Sequence, residues 1–389
     1  MTGSYALSEE HDDFRAAVAD FADEQLAPHV ADWDAAHELP LEAVRKMADF
    51  GLFGLSGPEE YGGAGDFTSL CIAIEEIGRV DQSLGITLEA AVGLGINPIA
   101  RFGTPEQKQR WLPDLLAGRA LAAFALTEPD SGSDAGALAT RAVLDGDSWV
   151  INGSKQFITN AGSDITSVIN VSARTGVRDD GQPGISTLIV PRQAAGVIIG
   201  PGYAKLGWHA SDTHPVTLSD VRVPHDHLLG EQGRGYAQFL STLDDGRIAI
   251  AALALGCIRA CRDHATRYAL ERRAFGGPIG RKQAVAFQIA DLDLMAHTAG
   301  LLVYAAAAQR DAGAPAAELK RSAAIAKLYA TESAVTATRI ATQVFGGYGF
   351  MEEYPVARFY RDAKVLEIGE GTSEVQRLVI ARALGLPVE

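Results

Sequence analysis

Cysteine is rare in this chain, three among 389 residues, and that argues against a disulfide framework. Cys257 and Cys261 sit one helical turn apart, but no metal-like cluster surrounds them, so they read as helix packing. Basic charge is short as well: 34 Lys and Arg against 49 Asp and Glu give a net charge of −15. Non-specific nucleic-acid binding depends on basic patches that neutralise phosphates, so that class of function is disfavoured. The acidic residues form no continuous tail, and there is no internal repeat or low-complexity tract. Purely apolar runs such as residues 248–258 stop well short of the roughly 20 residues that cross a bilayer, so no membrane span is expected. The opening MTGSYALSEEHDDF lacks a basic segment followed by an apolar one, so no secretory signal is expected and the predicted location is cytoplasmic.

What the chain does have is core material: 47% of its residues are hydrophobic, in a length that suits about two to three domains. Phe14, Val18, Phe21 and Leu26 recur at helical spacing and stop before Pro28. Thr104-Pro105-Glu106-Gln107 has the makings of a helix start, with Thr104 as cap and Gln107 reaching back in a capping box. No strand leads into Gly62-Gly63-Ala64-Gly65, so it reads as a flexible turn rather than a phosphate loop. From Leu121 to about Leu229 the texture changes to short β-rich pieces: LAAFAL, SWVIN, KQFIT, SVINV, ISTLIV, GVIIG and HPVTL. Asp145-Gly146-Asp147 is a hairpin signal between two such pieces. With frequent turns and no intervening amphipathic helices, this stretch predicts an antiparallel barrel or sandwich. Beyond Pro224, Pro278, Pro315 and Pro355 divide Ala- and Leu-rich segments of helical length into a bundle. The expected architecture is α+β and multidomain: residues 1–120 helical, 121–230 β, and 231–389 a helical bundle.

Four segments carry chemistry. Residues 124–134, FALTEPDSGSD, form a polar turn at a strand end. Residues 155–160, KQFITN, read as a strand with one aromatic residue, whose π face can cover a flat ring. Residues 271–280, ERRAFGGPIG, are followed by Gln283 and, further on, by QVFGGYGF at 343–350. The planar fork of Arg272 suits a pyrophosphate, and Gly346 and Gly347 permit close backbone approach. Residues 368–377, IGEGTSEVQR, fit a capping box from Ser373 to Gln376, which places Glu370 just before a helix start.

In this order the four segments resemble the acyl-CoA dehydrogenase flavoprotein family along essentially the whole chain, with its four-helix C-terminal bundle. The resemblance implies FAD as cofactor. Phe124, Leu126, Thr127, Ser133, Phe157 and Thr159 would border the flavin. Arg272, Phe275, Gln283, Gln343, Gly346 and Gly347 would reach the adenosine diphosphate half across a subunit interface, and Thr372 and Glu374 would also contact the cofactor. Phe157 stands where many members carry tryptophan. Glu370 would be the catalytic base. In some branches the base lies instead on a bundle helix, at the position matching Gly246, which has no side chain to serve. Ser133, Asp244, Arg247, Gly369 and Gly371 would line the substrate site, and an acyl-CoA would become its trans-2-enoyl thioester. Straight-chain members commonly place Tyr before the base. Gly369 here resembles the isovaleryl-CoA branch and implies a short or branched acyl group, although glycine also serves turn geometry. An electron-transfer flavoprotein is the implied acceptor and a homotetramer the implied assembly. The rival readings are an acyl-CoA oxidase, a carrier-protein-linked dehydrogenase and a non-enzymatic acyl-thioester-binding protein. His225 and His227 read as a solvated loop, His209 and His214 as loop packing, and Trp33, Trp111, Trp149 and Trp208 as structural.

Overall fold

The computed structural model describes residues 7–178 and 181–388. Ser8 caps the first helix, α1 (Glu9–Phe21), by accepting from the His11 N–H at 3.2 Å. The chain then widens through a π-helical turn (Ala22–Leu26) and tightens in a 3-10 turn holding Pro28 before α2 (Val30–Ala36). After α3 (Leu41–Asp49), α4 (Phe67–Val80) and α5 (Gln82–Glu89) run on through a π-helical stretch, Ala90–Ile96, into α6 (Asn97–Phe102). The capping box at α7 (Pro105–Leu116) is present: Gln107 N–H donates to Thr104 Oγ1 at 3.2 Å, and Thr104 N–H to Gln107 Oε1 at 3.0 Å.

The strands are β1 (Leu121–Ala125), β2 (Arg141–Asp145), β3 (Ser148–Thr159), β4 (Thr166–Val177), β5 (Pro183–Pro191), β6 (Val197–Ile199), β7 (Thr213–Pro224) and β8 (Leu228–Leu229). They form one sheet in the order β6-β7-β3-β2-β4-β5-β8, with β1 added beside β4. The sheet is mixed rather than wholly antiparallel, because β1 pairs parallel with β4 from Leu121↔Thr166 to Ala125↔Val171, and β2 meets β4 in parallel at Arg141↔Arg174. A parallel pair needs a long crossover, usually a helix; here a loop and the β2–β3 hairpin supply it. The Gly146 turn joins that hairpin with a φ of 61°. SWVIN and KQFIT are two halves of the one strand β3.

The last third holds three long helices, α8 (Gly235–Glu271), α9 (Gln283–Asp311) and α10 (Ala316–Phe345), and two short ones, α11 (Pro355–Ala363) and α12 (Ser373–Ala383). Between α8 and α9, residues 273–274 and 277–278 pair as a small hairpin. The helices α8, α9 and α10 pack on one another, α12 packs on α10, and α4 lies along α8. Residues 248–258 are buried all round, because α8 is sandwiched in this way, and Cys257 and Cys261 are buried with them. Early and late helices therefore share one hydrophobic core, and the sheet has its own around Trp149, Ile151, Leu188 and Val223.

Two departures concern the surface. The stretch Gln82–Phe102 and α9 are both long and apolar enough to cross a membrane, where counting unbroken apolar runs had suggested none. The first is largely buried within the fold. His227 is not in a solvated loop: it is buried, with Nδ1 2.8 Å from the Ile189 carbonyl and Nε2 3.2 Å from Arg110.

Candidate active site

The loop after β1 and the strand β3 are fastened to each other by a buried ion pair. Lys155 Nζ lies 2.8 Å from Glu128 Oε1 and donates to the Leu126 carbonyl at 3.0 Å. Glu128 also accepts from the N–H groups of Ala139 and Thr140, which hold its carboxyl below the usual carboxylate range together with Lys155. Burial pushes the Lys155 ammonium down to about 8. One residue on, the Gln156 N–H turns out of the sheet to the Thr127 carbonyl at 2.8 Å. The ladder with β7 slips between Lys155↔Val216 and Ile158↔His214, so Gln156 and Phe157 stand opposite Pro215 alone. Proline has no N–H for the ladder, and a bulge is where a sheet tolerates it. Phe157 consequently has a φ of 60°, and its ring is 65% exposed, 5.2 Å from that of Tyr203.

At the seam where the loop after β1 meets β3, Leu126 and Thr127 lie on the loop side and Phe157 and Thr159 on β3, with Phe124 on β1, each only partly covered or exposed. Phe124 stacks on Phe239 of α8 at 5.9 Å. Ser133 is exposed farther along the loop, beyond the Glu128–Ser131 turn.

A second feature lies at the far end of α8 and α10. Tyr268, Arg272, Ile279, Phe345, Gly346 and Gly347 line an open groove of about 620 Å³, with Tyr348 and Met351 at its edge. The Arg272 guanidinium stands 5.5 Å from the centre of the Tyr348 ring. Gly346 has a φ of 60° and ψ of −134°, a backbone open to glycine, and a Cβ at Gly346 or Gly347 would meet nothing within 4 Å. Phe275, Gln283 and Gln343 are exposed nearby in the sequence, Phe275 at 90%. The groove is lined only by residues of this last third.

The third feature is the turn before α12. Ile368 and Gly369 both donate to the Val365 carbonyl, and Glu370 and Gly371 then adopt positive φ of 52° and 92°. The turn is held from beneath: Lys327 Nζ donates to the Gly371 carbonyl at 2.9 Å, and Gln376 Nε2 to the carbonyls of Gly371 and Glu370 at 2.8 and 3.3 Å. The helix cap is Thr372, whose hydroxyl accepts from Val375 N–H, not Ser373, and Gln376 serves the turn instead of closing a capping box. Glu374 is exposed in the first turn of α12, its carboxyl lowered by the backbone and Thr372.

This turn directs the Glu370 carboxylate onto Gly246 of α8, where any Cβ would overlap it. Both Glu370 oxygens are shielded from water and have no donor. Desolvation pushes the carboxyl up to about 7, against the pull of Glu89, Lys327 and Arg247. Burial also pushes the Lys327 ammonium down to about 8. Arg247 is buried and paired with Asp244 at 2.6 Å, on the α8 turn that carries Gly246. At Gly369 a Cβ would meet only the Val365 carbonyl, at 3.6 Å. The turn therefore does not demand glycine there, and the space a side chain at Gly369 would take stays open.

The residues present suit a dinucleotide cofactor with a flat ring. The seam offers an aromatic face pushed out by a bulge, and the groove offers an arginine over side-chain-free backbone, the donor set a pyrophosphate takes. Sequence reasoning missed the Lys155–Glu128 strut, although both residues lie within the segments it singled out. It also missed Glu89, the single charged residue between Gln82 and Asn97. A lone acid in a glycine-rich apolar run was the available signal.

A solvent-shielded carboxylate, an exposed aromatic face and an arginine-bearing groove together suit a class: flavin-dependent oxidoreductases acting on carbon–hydrogen bonds. Profiles of the acyl-CoA dehydrogenase N-terminal, middle and C-terminal domains match residues 8–119, 123–221 and 233–385. The chain is 47% identical over 382 residues to a probable acyl-CoA dehydrogenase, YngJ, of Bacillus subtilis, covering 98% of this chain and 99% of that one. It is 43% identical over 379 residues to the mitochondrial short-chain specific acyl-CoA dehydrogenase of Bos taurus, covering 97% and 90%. Among solved structures, butyryl-CoA dehydrogenase from Megasphaera elsdenii superposes with a TM-score of 0.93 at 40% identity, covering 97% and 98%. The chain belongs to the acyl-CoA dehydrogenase family and is an FAD-dependent oxidoreductase acting on CH–CH bonds.

Proposed function

We propose that this enzyme dehydrogenates a short or branched acyl-CoA to the trans-2-enoyl thioester, with Glu370 as the base. The observation that carries the reading is the Glu370 carboxylate, desolvated and seated over the bare Cα of Gly246. Bound FAD supplies the acceptor for the hydride that leaves the β-carbon. Glu370 takes the α-proton. Exclusion of water raises its proton affinity, and the buried positive charges of Arg247 and Lys327 keep it able to ionise. Phe124, Thr127, Phe157 and Thr159 would hold the ring edge of the cofactor, and Arg272 with Gly346 and Gly347 its phosphates. The short acyl group is supported by the space beside Gly369 and by likeness to short-chain and butyryl-CoA enzymes.

The groove around Arg272 opens outward with Phe275 beside it, and α9 leaves Phe287, Leu294 and Leu301 exposed. These features support a further copy of the chain completing the cofactor site, in a homotetramer, with an electron-transfer flavoprotein as acceptor.

The decisive experiment is anaerobic flavin bleaching with butyryl-, isobutyryl-, isovaleryl- and palmitoyl-CoA. The short or branched thioesters should bleach the enzyme faster than palmitoyl-CoA. Glu370→Gln should retain FAD yet slow bleaching by about 10²–10⁴-fold, the usual contribution of a general base. Bleaching at the wild-type rate would reject the assignment.

A further inference from the structure

The Glu370 carboxylate has a neighbour that the reaction as described leaves idle. Glu89 closes α5, immediately before the π-helical stretch Ala90–Ile96, and π turns inside helices often mark functional positions. Its side chain is wholly buried, and both of its oxygens lack a donor, as both Glu370 oxygens do. Glycines clear the space on each side: a Cβ at Gly93 would sit 2.8 Å from Glu89 Oε1, and one at Gly246 would overlap Glu370. The two buried carboxyl groups interact directly with each other.

Two ionised carboxylates are acceptors only, so a hydrogen bond between them requires a proton on one. Two like charges in a dry site cannot both persist, so the pair keeps at least one proton near neutral pH. The surroundings decide which group keeps it. Around Glu370 stand Arg247 from α8, itself paired with Asp244, and Lys327 from α10, which also feels Glu367. Among the described residues, the charged group that acts on Glu89 is Glu370. Both cations therefore favour charge on Glu370, while burial drives the Glu89 carboxyl well above the ordinary range.

We infer that Glu89 is a positioning residue that keeps the shared proton and donates it as a hydrogen bond to the Glu370 carboxylate, holding the base ionised and aimed before the thioester arrives. No proton is transferred in this role. Glu89 stays neutral through the cycle, and the α-proton goes to Glu370. The inference rests on Glu370 being the base.

The test compares Glu89→Gln, which keeps a donor of similar shape, with Glu89→Leu, which has none. Infrared difference spectra of the FAD-loaded protein at pH 9, above the titration of Glu370 in wild type and in Glu89→Leu, should show a protonated-carboxyl band in wild type and Glu370→Gln that disappears in both Glu89 variants. In anaerobic bleaching by butyryl-CoA, the acid limb of the pH profile should move upward by about one unit in Glu89→Leu, in keeping with a lost hydrogen bond to a charged group. Glu89→Gln should restore the wild-type limb. An unmoved limb in Glu89→Leu overturns the inference, as does a downward shift, which would place the proton on Glu370. Equal defects in Gln and Leu, or a band that survives in both, overturn it too. Normal bleaching by Glu370→Gln overturns the inference together with the assignment of the base. Loss of bleaching there with an unmoved Glu89→Leu limb overturns the inference alone.

Discussion

Lys155 shows what one buried cation can do for a distant-looking motif. Its ammonium joins β3 to the loop that begins at Leu126, and the side chains of Lys155 and Glu128 are only 0% and 5% exposed. Removing one member of such a pair strands the other charge in a dry site. Lys155→Met should therefore lower stability by about 3–5 kcal/mol in urea unfolding, with a parallel fall in the FAD-to-protein ratio. A change below about 1 kcal/mol would mean that the strut is not required. The position of Glu370 was legible from sequence because it lies in a short, dense motif whose neighbours form its own turn. Glu89 was not, because its partner lies in another part of the chain and only folding brings the two carboxyls face to face. Gly369 was half legible: its identity was plain, and the absence of any steric demand at that position needed coordinates.

At the scale of elements, a junction away from Glu370 carries its own pH dependence. The loop at Trp208 docks on α11 by donating its N–H to Asp362 at 2.6 Å. Burial, reinforced by nearby Asp81 and Asp34, pushes the Asp362 carboxyl up to about 7 despite Arg358. The folded protein thus binds a proton here that the unfolded chain releases near pH 4. This group's contribution is full below that value and is lost as pH rises through about 7. Asp362→Asn, which keeps an acceptor but cannot ionise, should flatten the decline of Tm between pH 5 and 8. An unchanged slope would assign the dependence elsewhere. Helices and strands were legible where local chemistry fixes them, as in the Thr104 capping box and the Gly146 hairpin. The parallel β1–β4 pair escaped because a hairpin replaces the expected helical crossover, and the bulge at Phe157 because Pro215 forces it from a neighbouring strand. The cap of α12 fell on Thr372 because the Gln376 side chain is spent on the Glu370 turn.

For the whole molecule, the open groove and the exposed Phe275 make the proposed assembly and cofactor retention separable by experiment. Arg272→Ala should lose FAD while keeping its assembled mass in sedimentation. Phe275→Asp should reduce both the mass and the FAD content. A Phe275→Asp protein of unchanged mass would exclude this edge from the interface. The helical ends of the chain were each legible as helices, but their union was not, because residues on α4 and α8 meet only in space. That union has a consequence for biosynthesis. The apolar stripe of α4 leaves the ribosome long before α8 exists to cover it, and the whole sheet must be translated in between. Nascent chains stalled within the sheet should therefore bind holdase chaperones and resist neither protease nor aggregation. Release of α8 and α10 should end both vulnerabilities in one step.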